Sequence, residues 1–387
     1  MIIWRDGVVE NVRGTWPGAV ELEVRITAGP SEPASVAAGA RVMALAYPAL
    51  VGTPGVGDRV SLTCNALARG LGTGGYAMVA ALPDALPADP EPGPGHLVKA
   101  RYTPLQPMVL GVDEQDSPAH GILAEADDLG GMPVVVADLH SAVPAILAGM
   151  RAEAAAVGSP MPHVAYLMAD GGALPAWFSR SLAQLREANW LEASITVGQA
   201  FGGDVEAVTV HSGLLAARHV LGVDAVIVAQ GPGNLGTGTR WGFSGVAAGE
   251  ALNAAGVLGG RGVASLRVSR ADARGRHQGL SHHSTTAYGR VALVASDVVV
   301  PVAQGEEVTG WDSEIEAEVA TAARELVDGS TAGHRLIEVP LAGLDAALAE
   351  VPVRLSTMGR GLAEDATPFL AAAAAGRWAV RLPAGTA

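Results

Sequence analysis

Cysteine and lysine are nearly absent from this sequence: Cys64 and Lys99 are the single examples of each. One cysteine excludes an intramolecular disulfide and any zinc site built from several thiolates, and it fits a reducing compartment. Apart from Lys99, the 25 basic residues are scattered arginines, set against 39 acidic residues and a net charge of -14. With no basic stripe, that balance repels a phosphate backbone, so no nucleic-acid partner is expected. Aromatic residues are 4% and charged residues 17%, but hydrophobic residues reach 49%, which argues against disorder. No apolar run approaches the roughly 18 residues of a membrane span; the alanine run Ala371–Ala375 is far too short. The start, Met1 to Asp6, lacks a basic residue followed by an apolar stretch, so no signal peptide is read. These absences together lead us to expect a cytoplasmic protein without membrane partners. The high apolar content leaves a homo-oligomer open.

What is present is a chain of 387 residues, longer than one hydrophobic core usually organises. Residues 1–83 read as β: short alternating segments at Val8–Val12, Val20–Val24, Val42–Tyr47, Arg59–Leu62 and Tyr76–Leu82, separated by Gly and Pro, predict a small barrel or sandwich. Residues 84–130 are a Pro- and acid-rich connector and lead-in. From 131 to 387 apolar strand patterns alternate with helical ones. Strands are predicted near 134–137, 164–168, 194–197, 225–229, 263–268, 297–302, 335–339 and 353–356, with helices between most of them. The fold class this implies is α/β: a mostly parallel sheet covered by helices on both faces, preceded by the small β domain.

In open parallel sheets ligands bind at the carboxyl ends of the strands, so the residues following each strand are the candidates. Asp138-Leu139-His140 follows the first strand. An Asp and a His two apart can serve as metal ligands or an acid–base pair, or Asp138 simply caps the next helix. Asp170-Gly171-Gly172 follows the second; its glycines suit either close approach to a ligand or a tight turn. Gly198 to Asp204, and His211-Ser212 at a later helix start, are weaker signals. The fourth strand is followed by Gln230 and then Gly231 to Gly245, with six glycines. Here the backbone N–H groups of Gly231, Gly233, Asn234, Gly236, Thr237, Gly238 and Thr239, with Arg240, are positioned to cradle an anion, or the glycines serve structure alone. It is no Walker loop, and its Gly-x-Gly-x-x-Gly lies too far ahead of its helix for a dinucleotide fingerprint. The polar loop after the fifth strand carries His277 and then Ser281-His282-His283. Adjacent rings in an extended segment point to opposite sides, so one of His282 and His283 is expected to reach a site.

Gly95-His96-Leu97-Val98-Lys99-Ala100-Arg101-Tyr102-Thr103-Pro104-Leu105-Gln106, Asp138-Leu139-His140-Ser141, Gly231 to Gly245 and Ser281-His282-His283 together resemble an uncharacterised bacterial family, domain of unknown function 3866. The resemblance spans nearly the whole chain and implies an intracellular protein of unassigned activity. Asp-x-His after a strand also opens the metallophosphoesterase pattern, but Asn234 is followed by Leu235 and no Gly-His-x-His exists. The functional expectation is a small-molecule enzyme acting on an anionic metabolite, phosphorylated ones included, by metal-assisted hydrolysis or group transfer. Asp138, His140 and Asp170 would hold a divalent metal, and His282 or His283 would complete the catalytic set. A non-catalytic ligand-binding or sensor protein, and a structural or assembly protein, are the alternatives.

Overall fold

The computed structural model describes residues 2–71 and 74–382. Two compact units are present. The first holds the residues up to Pro94 together with Tyr102–Pro107; the second holds Gly95–Arg101 and everything from Met108 onward. The connector read from the sequence is thus divided: its first residues stay with the β unit, and most of the lead-in belongs to the α/β unit.

Five strands close the first unit into a barrel in the order β1-β2-β3-β5-β4: β1 (Trp4–Trp16), β2 (Ala19–Ala28), β3 (Arg41–Ala46), β4 (Arg59–Thr63) and β5 (Tyr76–Ala81). Alternation decides which side chains enter it. Leu22, Val24 and Ile26 of β2 and Val60 and Leu62 of β4 point inward and are buried. Gly18, at φ 82, makes the tight β1–β2 turn, and β1 pairs with β4, Trp4 opposite Thr63, to close the ring. Closure leaves no open sheet edge.

The second unit is built on an eight-stranded, all-parallel sheet. Its strands are β6 (Pro133–Val136), β7 (Val164–Ala169), β8 (Ala193–Thr196), β9 (Val205–Glu206), β10 (Ala225–Gln230), β11 (Arg261–Ser265), β12 (Asp297–Val302) and β13 (Arg335–Pro340). Their order is β9-β8-β7-β10-β6-β11-β12-β13. Val134, Val135 and Val136 are all fully buried, as a strand covered on both faces requires. The chain leaves β6 towards one edge of the sheet, returns to insert β10 beside β6, and then leaves β10 towards the other edge. The reversal places a crevice at the carboxyl ends of β6, β10 and β11.

The principal helices are α1 (Val143–Val157), α2 (Arg180–Glu187), α3 (Val210–His219), α4 (Ala247–Val257), α5 (His282–Thr286), α6 (Ser313–Asp328), α7 (Leu344–Ala349) and α8 (Thr367–Arg381). The alanine run lies in α8, which packs on α1 so closely that a Cβ on Gly149 would sit 1.8 Å from the Ala373 carbonyl oxygen, and one on Gly376 1.9 Å from that of Ile146. Small residues on both helices permit this approach. The strand expected near 353–356 does not join the sheet. Ser356–Thr357 pairs with Arg360–Gly361 around a turn whose residues Met358 and Gly359 both have positive φ. Lys99 is buried: its Nζ donates to the carbonyls of Thr196, Ala200 and Ala207 and lies 2.9 Å from Glu206, tying together the ends of β8 and β9.

Candidate active site

Three segments meet in the crevice at the sheet reversal: the turn after β6, the loop after β10, and the long loop from β11 to α5. Asp138, two residues beyond the end of β6, is 5% exposed. Its Oδ2 accepts a hydrogen bond from His283 Nδ1 at 2.8 Å and one from Arg267 Nη1 at 3.3 Å. Burial by itself would raise the carboxyl pKa, but the Arg267 charge and the hydrogen bonds from His283 and Arg267 outweigh it and hold Asp138 ionised, below its usual value. The carboxylate selects the His283 tautomer with the proton on Nδ1, leaving Nε2 with its lone pair. Arg267 Nη1, 3.0 Å from the same Nδ1, is then a close neighbour of that ring rather than a second hydrogen-bond partner.

His283 is held on its other sides as well. Phe243 stacks on the imidazole with centroids 3.7 Å apart and planes 8° from parallel. His282 and His277 stand at 4.6 and 4.8 Å between centroids. The two adjacent histidines are not in an extended segment: they open α5, whose N-cap Ser281 accepts from the His283 backbone N–H. Helical geometry turns both rings to the same side, where the sequence reading expects only one. Ser281 Oγ also lies 2.7 Å from His277 Nδ1. His282 Nε2 is buried with no hydrogen-bond partner. Among the described residues this trio is the group of three whose ligand atoms all lie within 4.8 Å of one another. Desolvation lowers the pKa of His277 to about 3 and of His282 to about 4, so both rings are neutral near pH 7.

The expected metal set of Asp138, His140 and Asp170 does not converge in this way. His140 has both ring nitrogens engaged, Nδ1 with Tyr166 Oη at 2.9 Å and Nε2 with Ser179 Oγ at 2.6 Å, and burial lowers its pKa to about 4. It is a neutral bridge between β7 and the start of α2. Asp170 is exposed at the end of β7, where its Oδ2 accepts from the Gln199 backbone N–H at 2.8 Å.

The glycine-rich loop spends part of its backbone on its own structure. Several of its amides are bonded within the loop: Thr237 N donates to Gly242 O, Gly242 N to Thr239 Oγ1, Leu235 N to Ser244 Oγ, and Ser244 N to Leu235 O. Gly231 N donates to Ala169 O. Gly171, Gly172 and Gly231 serve close packing of two turns: a Cβ on Gly172 would lie 2.0 Å from Gly231 O, and one on Gly231 2.4 Å from Ala173 O. Gly233 and Gly238 take positive φ, with space around Gly233. Arg240 is exposed, as are Gly236, Thr237, Gly238 and Thr239. Asn234 accepts from Ser244 Oγ through Oδ1.

A cavity of ≈ 340 Å³ adjoins this cluster. It lies between α3, α4 and the carboxyl ends of β6, β7 and β10. Its wall is mostly Val and Ala, and its ionisable lining is Asp138, Asp170, His211 and Glu250, without Arg or Lys. Gln230, 4% exposed, also lines it; its Nε2 donates to Asp138 O and its Oε1 has no partner. Sequence reading missed Arg267, Phe243 and the part played by His277. The Arg lies inside the predicted strand 263–268 and just past the observed β11, and nothing in its spacing announces a partner 129 residues away.

No helix of the described residues is long and apolar enough to cross a membrane. Comparison with known families matches residues 43–376 to the family described as "Protein of unknown function (DUF3866)", and the chain belongs to that family. A search of the curated proteins finds no match.

Proposed function

We propose that this member of an uncharacterised family is a small-molecule enzyme that carries out hydrolysis or group transfer at the sheet reversal, with the Asp138–His283 pair as its acid–base centre. One observation carries the reading: Asp138 lines the cavity and also holds His283 Nδ1 at 2.8 Å. A buried carboxylate that fixes the tautomer of a histidine leaves Nε2 able to take a proton from water or a hydroxyl, and it stabilises the imidazolium that forms. Phe243 and Arg267 restrict the ring and the carboxylate to one arrangement, as a preorganised base requires. Ser281, which precedes the two histidines, is fully buried and caps α5, so it is no nucleophile. Water is therefore the favoured attacking group.

The lining also bears on the substrate. Asp138 is matched by Arg267, but Asp170 and Glu250 add negative charge and no Arg or Lys lines the wall, so the cavity favours a neutral or cationic compound with an apolar body over the anionic metabolite expected from the glycine loop. The test is turnover of chromogenic carboxylic esters, anilides and phosphate esters by the wild type and by His283→Ala. Ester or anilide turnover that falls by roughly 100-fold or more in the variant supports the reading. Turnover equal in the two proteins, or none with any of the three classes, sinks it.

A further inference from the structure

We infer that His277, His282 and His283 form a binding site for a first-row transition-metal dication of the zinc type. The site stands on its own geometry and not on the reading above: an ion on His283 Nε2 takes the lone pair that the proposed base uses, so the two roles compete for that atom.

Three histidines with one open position are a ligand set of catalytic zinc sites. Nδ1 of His283 and of His277 already contact Asp138 and Ser281, so Nε2 is the nitrogen each has left. A metal-ligating histidine ordinarily gives its other ring nitrogen to a carboxylate or similar acceptor, which orients the ring and raises its basicity. The Asp138–His283 bond has that form before any ion enters. The third ring supplies an independent sign: His282 Nε2 is buried and has no partner. An unpaired polar atom inside a protein is costly, and a metal removes the cost by using the lone pair.

Size and charge select the ion. Bonds of about 2.0–2.1 Å from a tetrahedral centre put the nitrogens roughly 3.3 Å apart. One ring nitrogen of each residue lies within 4.8 Å of the others, so the rings draw together by up to about 1.5 Å to reach that spacing, a movement that falls to His277 and His282 because Asp138 and Phe243 hold His283. Imidazole nitrogen suits zinc, cobalt, nickel and copper, whereas magnesium and calcium require oxygen. The charged groups that act on the cluster are Arg267, Arg274, Arg276, Asp138 and Asp272. Arg267 is matched by Asp138, and Arg274 by Asp272 at 2.8 Å. Arg276 is exposed, where water screens it.

The full-length protein, stripped with chelator, is titrated with zinc and with cobalt, and binding is followed by calorimetry and by the visible absorption of tetrahedral cobalt. One equivalent bound, with the tetrahedral cobalt spectrum and no response to magnesium, is the expected result. His282→Ala, which alters the most accessible ring of the three, weakens zinc by roughly 100-fold or more; His163→Ala, at an exposed histidine elsewhere, changes nothing. If zinc fails to bind the wild type at micromolar concentration, or binds His282→Ala equally well, the site is overturned. The reaction is judged separately. Turnover that survives chelation while zinc still binds would keep the site and remove it from catalysis. Turnover that needs His283 in a protein that binds no zinc would keep the reaction and remove the site.

Discussion

Two loops leave neighbouring parts of the same sheet edge and differ in what they do with their polar groups. The loop after β10 has six glycines and is the most conspicuous string in the sequence. It folds onto itself, bonds several of its amides internally and stands largely exposed. The loop after β11 has an ordinary composition, yet it delivers Arg267, His277, His282 and His283 into a buried cluster around Asp138. Glycine marks where a backbone must turn or approach another backbone. Chemistry needs side chains whose polar atoms are desolvated and incompletely paired, and a glycine-rich string supplies few of them.

The contrast can be broken by substitution. The largest effect is expected from Asp138→Ala, which leaves Arg267 buried without its counter-ion and should cost about 3–5 kcal/mol in urea unfolding. A value under about 1 kcal/mol would mean that the ion pair is not formed as described. Next comes pH. Burial lowers the folded pKa of His140 to about 4, against an ordinary imidazole value of 6.5, so the unfolded chain takes up the proton more readily between these limits. Stability from this group is complete above about pH 6.5 and falls as the pH drops towards 4, by roughly 3 kcal/mol at about 1.4 kcal/mol per unit. His140→Gln should flatten that part of the stability–pH curve, whereas Arg240→Ala should leave its shape unchanged.

Saturating zinc, at about 100 times its Kd, should stabilise the wild type by roughly 2.7 kcal/mol in thermal unfolding and leave His282→Ala where it was. Equal shifts in both proteins would move the binding elsewhere. Within the glycines, Gly172→Ala meets the Gly231 carbonyl at 2.0 Å and should cost about 1–3 kcal/mol, because backbone must move. Gly242→Ala meets the hydroxyl of Thr237, which can rotate, and should cost less. The smallest effect is Arg240→Ala, within about 0.5 kcal/mol, since the side chain is exposed and contributes no ion pair. A destabilisation above about 1 kcal/mol there would restore a structural role to the tip of the glycine loop.

The strand ends were good guides to place and poor guides to partnership. Asp138, Gln230 and Asp170 do line one cavity, as the rule of carboxyl ends implies. His140, two residues from Asp138, is turned to Tyr166 and Ser179 instead. His282 and His283 were visible as a pair, but their convergence depends on Ser281 starting a helix, which a five-residue element surrounded by polar loop does not announce. The C-terminal helix hid in an alanine run whose pattern lacks polar spacing because nearly all of it is buried against α1.

Local pattern by itself determined the two-part organisation, the barrel strands and most of the parallel strands, because alternation and continuous apolar runs record burial residue by residue. It also determined the excluded chemistry, since a single cysteine cannot build a thiolate site. Tertiary structure alone decided which histidine meets Asp138, that the glycine loop closes on itself, and that three imidazoles share one small volume. Those outcomes depend on contacts between residues as far apart as Asp138 and His283, separated by 145 positions. Such contacts are set by the order in which strands enter a sheet, and no local window of sequence contains that order.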